Sequence, residues 1–331
     1  MAAQRSVRFY ELGGPEVLRL EAQPERQPGP GEVRLRVDAI GLNRAEALFR
    51  RGEYTQKPQL PSRIGYDAVG SIDAVGPGVT EVRAGDRVAT IPAFAMSQHG
   101  VYGDVAIVPA RAVVPWPEAL PAEQAVALWT AFLTVWGGLI RDGALGRGEW
   151  VLLTAAASSV GIAAIQVALS EGARVIATTR SEAKREALLR AGAEHVIVTE
   201  KEDLVARVHE LTGGHGTDVV FDAVAGAQLE RCAQAMADRG RLVVYGYLGG
   251  MSAPLPLVPM QRKALTLRAH SISRVTSDPA LLREAVAFIQ KGVARGAFRP
   301  LVDRSFPLDR IVEAHRYLEG SEQVGKVVVV P

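Results

Sequence analysis

One stretch, residues 151–184, constrains this chain more than any other: VLLTAAASSVGIAAIQVALSEGARVIATTRSEAK. It opens on a short apolar run, 151–154, with the length and content of a strand buried on both faces. Small residues follow at 155–159, and then Ile162, Ile165, Gln166 and Leu169 recur at helical spacing. A second apolar run, 174–177, predicts another strand. Strand, small-residue turn, helix and strand form a unit that can seat a dinucleotide pyrophosphate on a helix N-terminus. There, unpaired backbone N–H groups and the helix dipole favour negative charge.

The glycine fingerprint of such a turn, G-x-G-x-x-G, is only partly present, its three positions falling on Ala156, Ser158 and Gly161. Alanine and serine are the next smallest residues, so close backbone approach survives. Ser158 or Ser159, followed by Val160, can offer a hydroxyl to phosphate. An ordinary βαβ unit with a small-residue turn reads the same way, and the residues just past the second strand separate the two. In an NAD site a carboxylate about 20 residues on receives the ribose 2′-hydroxyl. Here that position is Thr179, with Arg180 beside it and Lys184 a helical turn further. A carboxylate would repel a 2′-phosphate, whereas a hydroxyl, a guanidinium fork and an ammonium attract it. NADPH is the expected cofactor.

At 331 residues the chain is long for a single domain, and two are expected. A hydrophobic content of 48% supplies core for both. The formal net charge of +2, without a block of like charges, gives no electrostatic footprint for nucleic acid or a membrane surface. A lone cysteine, Cys232, excludes an intrachain disulfide and a cysteine-rich zinc site. The opening MAAQRSVRFY lacks an apolar targeting core and no long apolar run follows, so a cytoplasmic location is expected.

Residues 1–125 are β-rich, with strands expected at 7–10, 17–22, 32–40, 69–75 and 105–108. Tight turns at Gly13-Gly14-Pro15 and Pro28-Gly29-Pro30-Gly31 suggest a small barrel or a partly open sandwich. After a helical segment at 122–139 the texture changes. Strands at 151–154, 174–178, 195–198, 218–222, 241–245 and 265–269 alternate with helices near 160–171, 181–191, 201–211 and 226–237. That alternation predicts an α/β fold with a doubly wound parallel sheet. Helices at 278–295 and 308–319 and a strand at 326–330 close the chain.

Many short segments in one order then carry a resemblance. They include Gly41-Leu42-Asn43, Arg51-Gly52-Glu53-Tyr54, Gly65-Tyr66-Asp67, Val75-Gly76-Pro77-Gly78-Val79 and Ala84-Gly85-Asp86-Arg87-Val88. Gly100-Val101-Tyr102-Gly103, Ala191-Gly192-Ala193, Asp218-Val219-Val220-Phe221-Asp222 and Gly325-Lys326-Val327-Val328 continue the series. Over nearly its whole length the chain resembles the medium-chain dehydrogenase/reductase superfamily, in its zinc-free quinone oxidoreductase (zeta-crystallin-like) branch. The resemblance implies a GroES-like β-barrel domain, residues 1–125 completed by 271–331, and a Rossmann NADPH-binding domain, 126–270. It places the active site in the cleft between them. In zinc-dependent relatives a Cys, a His and a further Cys or Asp hold the catalytic metal. Those positions correspond here to Asn43, Tyr66 and Thr130, none of them a thiolate, imidazole or carboxylate, so no metal is expected.

Without a Lewis acid, the chemistry implied is hydride delivery to an acceptor that is already electron-poor, a quinone or an α,β-unsaturated carbonyl. Tyr54 falls on the tyrosine that in enoyl-thioester-reductase relatives is the proposed proton donor or oxyanion partner, and the alternative is a loop tyrosine that only packs. Asn43 and Tyr66 are the other catalytic candidates. Asn43, Thr130, Thr134, Val224, Tyr245, Gly246, Gly325 and Lys326 are implied cofactor contacts, beside Ser158–Gly161, Thr179, Arg180 and Lys184. His99 sits in a loop expected near the cleft, where it could relay a proton or be simply a loop residue; the other five histidines show no ligand spacing. The expected partners are a small-molecule substrate and a second copy, joined through the strand at 265–269 into a homodimer. The alternatives are an enoyl-thioester reductase, or a non-catalytic crystallin-like or RNA-binding protein on the same fold.

Overall fold

The computed structural model describes residues 4–331. In chain order its strands begin with β1 (Gln4–Arg8), β2 (Arg19–Gln23), β3 (Glu32–Gly41), β4 (Asp67–Val75) and β5 (Arg87–Thr90). Next are β6 (Val105–Pro109), β7 (Val113–Pro115), β8 (Trp150–Leu153), β9 (Arg174–Thr179) and β10 (His195–Val198). The last are β11 (Thr217–Asp222), β12 (Met236–Val244), β13 (Thr266–Ala269), β14 (Val302–Pro307) and β15 (Lys326–Val330). They fall into two compact units, one running up to Thr130 and completed by Pro300–Pro331, the other Ala131–Arg299.

The first unit follows period-two alternation. Along β3, Val33, Leu35 and Val37 are buried while Arg36 and Asp38 face solvent. Seven strands form one sheet in the order β14-β15-β3-β4-β5-β7, with β6 also on β3. The chain's far end is thereby built into this sheet, β15 running antiparallel to β3 with Val329 opposite Ile40. Val33, Leu35, Ile40, Ile64, Val101 and Val329 are among the fully buried residues of its core.

In the second unit the strand patterns are nearly continuous, Trp150–Leu153 being buried throughout, as a parallel sheet covered on both faces requires. The order is β10-β9-β8-β11-β12-β13, all parallel. This is the expected doubly wound α/β sheet. Its order reverses between β8 and β11, and outside the strand ends at such a reversal the fold leaves a crevice for a ligand.

Three local expectations change. The helix foreseen at 122–139 is three pieces, Ala122–Val126, Trp129–Val135 and a π-helical turn Trp136–Asp142. Strand β12 begins at Met236, inside the stretch expected to be helical, and accommodates Arg239 at a φ of 59°. Residues 271–299 belong with the parallel sheet and not with the barrel. The reason is packing: the Phe298 ring lies 4.9 Å from that of Phe132, on the helix Trp129–Val135. Among the described residues no helix is long and apolar enough to cross a membrane.

Candidate active site

In the barrel unit, β3 ends and the helix Arg44–Arg50 begins at Asn43. The Glu46 carboxylate reaches back to accept from the Asn43 backbone N–H at 2.6 Å, one half of a capping box. Its other oxygen accepts from the Asn43 side-chain amide at 3.1 Å and from the Tyr66 backbone N–H at 3.2 Å. The second Asn43 amide hydrogen goes to Asp67 Oδ2 at 3.0 Å, and Asn43 Oδ1 accepts from Lys326 Nζ at 2.7 Å. Every polar atom of that side chain is therefore committed within the protein. Lys326 Nζ also donates to Asp67 Oδ2 at 2.7 Å, and the Thr130 hydroxyl donates to Asp67 Oδ1.

The network is dry, Glu46, Asp67 and Lys326 being 0%, 2% and 1% exposed. Burial pushes the Glu46 carboxyl up to about 7, and the neighbouring Asp67 pushes the same way. Lys326 and the Asn43 amide offset part of this. Gly325 makes the delivery of Lys326 possible. Its φ is 103°, and a Cβ there would lie 2.4 Å from the Leu301 carbonyl oxygen. Lys326, expected as a cofactor contact, donates its ammonium to Asn43 and Asp67 inside the barrel.

Tyr66, buried beside Phe94, donates its hydroxyl to Gln56 Oε1 at 3.3 Å. Burial, then the adjacent Tyr54, raise its pKa far above the ordinary phenol value, so it stays a neutral hydrogen-bond donor. Tyr54 is half-buried and packs on the barrel core. The structure thus brings Tyr54, Tyr66, Asn43 and Thr130 into one neighbourhood. His99 has its Nδ1 on the Ile107 carbonyl at 3.1 Å, a bond that holds the ring to β6.

The second unit holds the other candidates. Ser158 caps the helix Ser159–Ser170, its Oγ accepting from Gly161 N at 3.0 Å. A Cβ on Gly161 would lie 2.4 Å from the Ala156 carbonyl oxygen, so the third glycine of the fingerprint is required even though the first two are not. The first N–H groups of the helix, from Ser159 and Val160 on, have no carbonyl within it to accept them. Ala155 takes a φ of 47° to turn the chain out of β8.

Beyond β11, the buried Asp222 carboxylate accepts from the Thr154 hydroxyl at 2.6 Å and from the Ala225 N–H at 2.7 Å. It fixes the loop carrying Val224, while Tyr245 and Gly246 follow β12, Tyr245 stacked on Phe221 at 4.0 Å. All three lie at carboxyl ends of the strands beside the sheet's switch point. Thr134 is buried on the helix Trp129–Val135.

At the end of β9, Thr179 Oγ1 accepts from the Ser181 N–H at 3.2 Å. Arg180 is exposed and holds no ion pair with any described residue. Lys184, half-buried, ends the short turn Glu182–Lys184. The nearby Glu182 carboxylate is already taken by Arg185 at 2.6 Å and Lys201 at 3.3 Å. These residues fit a phosphorylated dinucleotide: capped helix N-terminus, small-residue turn, and basic side chains where a carboxylate would otherwise stand.

Zinc does not fit. Asn43, Tyr66 and Thr130 offer an amide oxygen, a phenol and an alcohol, and the adjoining carboxylate of Asp67 is held by the Lys326 ammonium. Among the described residues no cluster of three or more His, Cys, Asp or Glu could hold a metal ion. The residue missed in the sequence is Glu46, the hub of the barrel network. Its signal is present there, an Asn43-x-x-Glu46 spacing before an apolar helix.

Residues 29–118 match the family model of the alcohol dehydrogenase GroES-like domain, and residues 159–291 that of the zinc-binding dehydrogenases. The chain is 32% identical over 328 residues to a quinone oxidoreductase of Pseudomonas aeruginosa, with 99% of each covered. It is 29% identical over 329 residues to a 2-haloacrylate reductase of Burkholderia, with 98% of each covered. A solved structure of an Escherichia coli quinone oxidoreductase complexed with NADPH superimposes with a TM-score of 0.92 at 32% identity, covering 99% of this chain and 100% of that one.

Proposed function

Because the chain belongs to the quinone oxidoreductase family of medium-chain, NAD(P)-dependent oxidoreductases, we propose that it is a zinc-independent reductase using NADPH to reduce a quinone or an α,β-unsaturated carbonyl. The observation that carries this reading is the end of β9, where Thr179 and the unpaired Arg180 stand in place of a ribose-binding acid. That the Escherichia coli relative was solved with NADPH supports it. Ser158, Ser159, Val160 and Gly161 receive the pyrophosphate; Thr179, Arg180 and Lys184 receive the 2′-phosphate; Thr134, Val224, Tyr245 and Gly246 line the way to the reactive ring. NADPH, when bound, supplies a hydride.

The chain's own contribution is orientation and hydrogen-bond support for developing charge. Tyr54, with Tyr66 beside it, is the donor assigned to the substrate oxygen on which that charge builds. Asn43 has no amide hydrogen left for a substrate and serves to hold Glu46, Asp67 and Lys326 together beside Tyr66. Kinship with a 2-haloacrylate reductase supports an electron-poor C=C bond as acceptor. The deciding experiment is a titration with NADPH and NADH, followed by turnover on a panel of enones and quinones. One charge-assisted phosphate contact contributes about 1.5–3 kcal/mol, so NADPH is expected to bind roughly tenfold to a hundredfold more tightly. Arg180→Ala should weaken NADPH and leave NADH unchanged. Equal affinities for the two cofactors, or no turnover across the panel, would overturn the reading.

A further inference from the structure

The family model over the second unit is that of zinc-binding dehydrogenases, yet the barrel site of this chain is built around a different cation. Lys326 Nζ touches Asn43 Oδ1 and Asp67 Oδ2, each at 2.7 Å, and Asp67 Oδ1 takes the Thr130 hydroxyl. Asn43 and Thr130 are two of the positions that correspond to metal ligands, and the third, Tyr66, immediately precedes Asp67. Two glycines make room for the lysine there. A Cβ on Gly41 would stand 2.6 Å from Lys326 Cε, and Gly325 takes a backbone angle that other residues rarely adopt. The ammonium is paired with the buried Asp67 carboxylate, and the buried Glu46 carboxyl adjoins the pair through the Asn43 side-chain amide. A buried carboxylate without a nearby positive charge is strongly disfavoured, so Asp67 needs either a proton or a partner cation, and the Lys326 ammonium supplies the cation.

We propose that the Lys326 ammonium is the resident cation of this site, taking the place of a metal and keeping divalent ions out. Its removal would leave the Asp67 carboxylate, the Asn43 amide oxygen and the adjoining Thr130 hydroxyl without a cation. Such an all-oxygen set suits a hard divalent ion such as Mn2+ better than zinc. The inference is independent of the reductase assignment, since it is read by metal binding and thermal unfolding without any turnover.

The test compares the full chain with Lys326→Met and with Lys326→Met/Asp67→Asn, each melted with chelator and with Mn2+, and Mn2+ binding followed by electron paramagnetic resonance. The parent should show the same Tm in both conditions. Lys326→Met should lose on the order of 10 °C, because one member of a buried pair is gone, and should recover part of it on binding one Mn2+. The double variant should be more stable than Lys326→Met and indifferent to Mn2+, its carboxylate having gone with the charge that balanced it. A Lys326→Met chain that gains nothing from Mn2+, folded or not, overturns the proposal. So does a parent chain that takes up Mn2+ with Lys326 in place, or a double variant no more stable than the single one.

Discussion

Two side chains decide most at the residue scale. Tyr54 is the donor proposed for the substrate oxygen, and losing such a donor raises the barrier by about 2.7–4 kcal/mol. Tyr54→Phe should therefore lower kcat on an enone by about a hundredfold or more while NADPH affinity is unchanged. If stopped-flow hydride transfer runs at the parent rate and Tyr66→Phe carries the loss, the role passes to Tyr66. Glu46 matters for a different reason. Its folded-state pKa of about 7 lies above the ordinary 4.5, so the folded chain holds this proton more tightly than the unfolded one. The stability that this contributes is fully present below about pH 4.5 and is lost as pH rises through about 7. The whole effect is on the order of 3 kcal/mol. Glu46→Gln keeps an acceptor for the Asn43 N–H but cannot ionise, so urea unfolding from about pH 5 to 8 should show a flatter profile than the parent's. A variant that tracks the parent across that range would mean that Glu46 is ionised throughout.

At the scale of elements, the turn between β8 and the helix Ser159–Ser170 shows what a fingerprint demands. Ala156 and Ser158 stand where glycines are usual, but Gly161 packs directly on the Ala156 backbone. Gly161→Ala should push the helix off the turn and abolish NADPH binding by calorimetry, while Ser159→Ala, which keeps the backbone donors, should weaken it only modestly. That unit is legible from sequence because one local pattern, apolar run, small residues and helical spacing, specifies it. The helix Arg44–Arg50 is not, because its capping pair Asn43 and Glu46 looks like two polar residues until Asp67 and Lys326 are brought to them. The barrel pairing of Lys326 is hidden in the sequence for the same reason. Its partners lie 259 and 283 positions away, and only the pairing of β15 with β3 reveals them. Residues 271–299 read as part of the barrel because a sequence shows a helix and an apolar run without showing that Phe298 packs on Phe132.

For the molecule as a whole, the open question in the fold is the edge of the parallel sheet. β13 is its last strand, with Thr266, Arg268 and Ala269 exposed and Leu267 only half-buried. The segment leading into it exposes Leu248, Met251, Leu255, Leu257 and Val258, each between 46% and 67%. A bare edge with a run of apolar residues beside it is a template for pairing, and monomers usually blunt such edges with charge, proline or a covering loop. The arrangement that closes on itself is a two-fold partner offering the same strand, which would join two six-stranded sheets and cover the apolar segments beside them. A homodimer is therefore expected, with light scattering at micromolar concentration giving twice the chain mass. Leu257→Lys together with Val258→Glu should shift the mass toward the monomer, since neither side chain helps to build the core of its own unit. A parent chain that is monomeric at that concentration would show that the edge is protected by something other than a second copy.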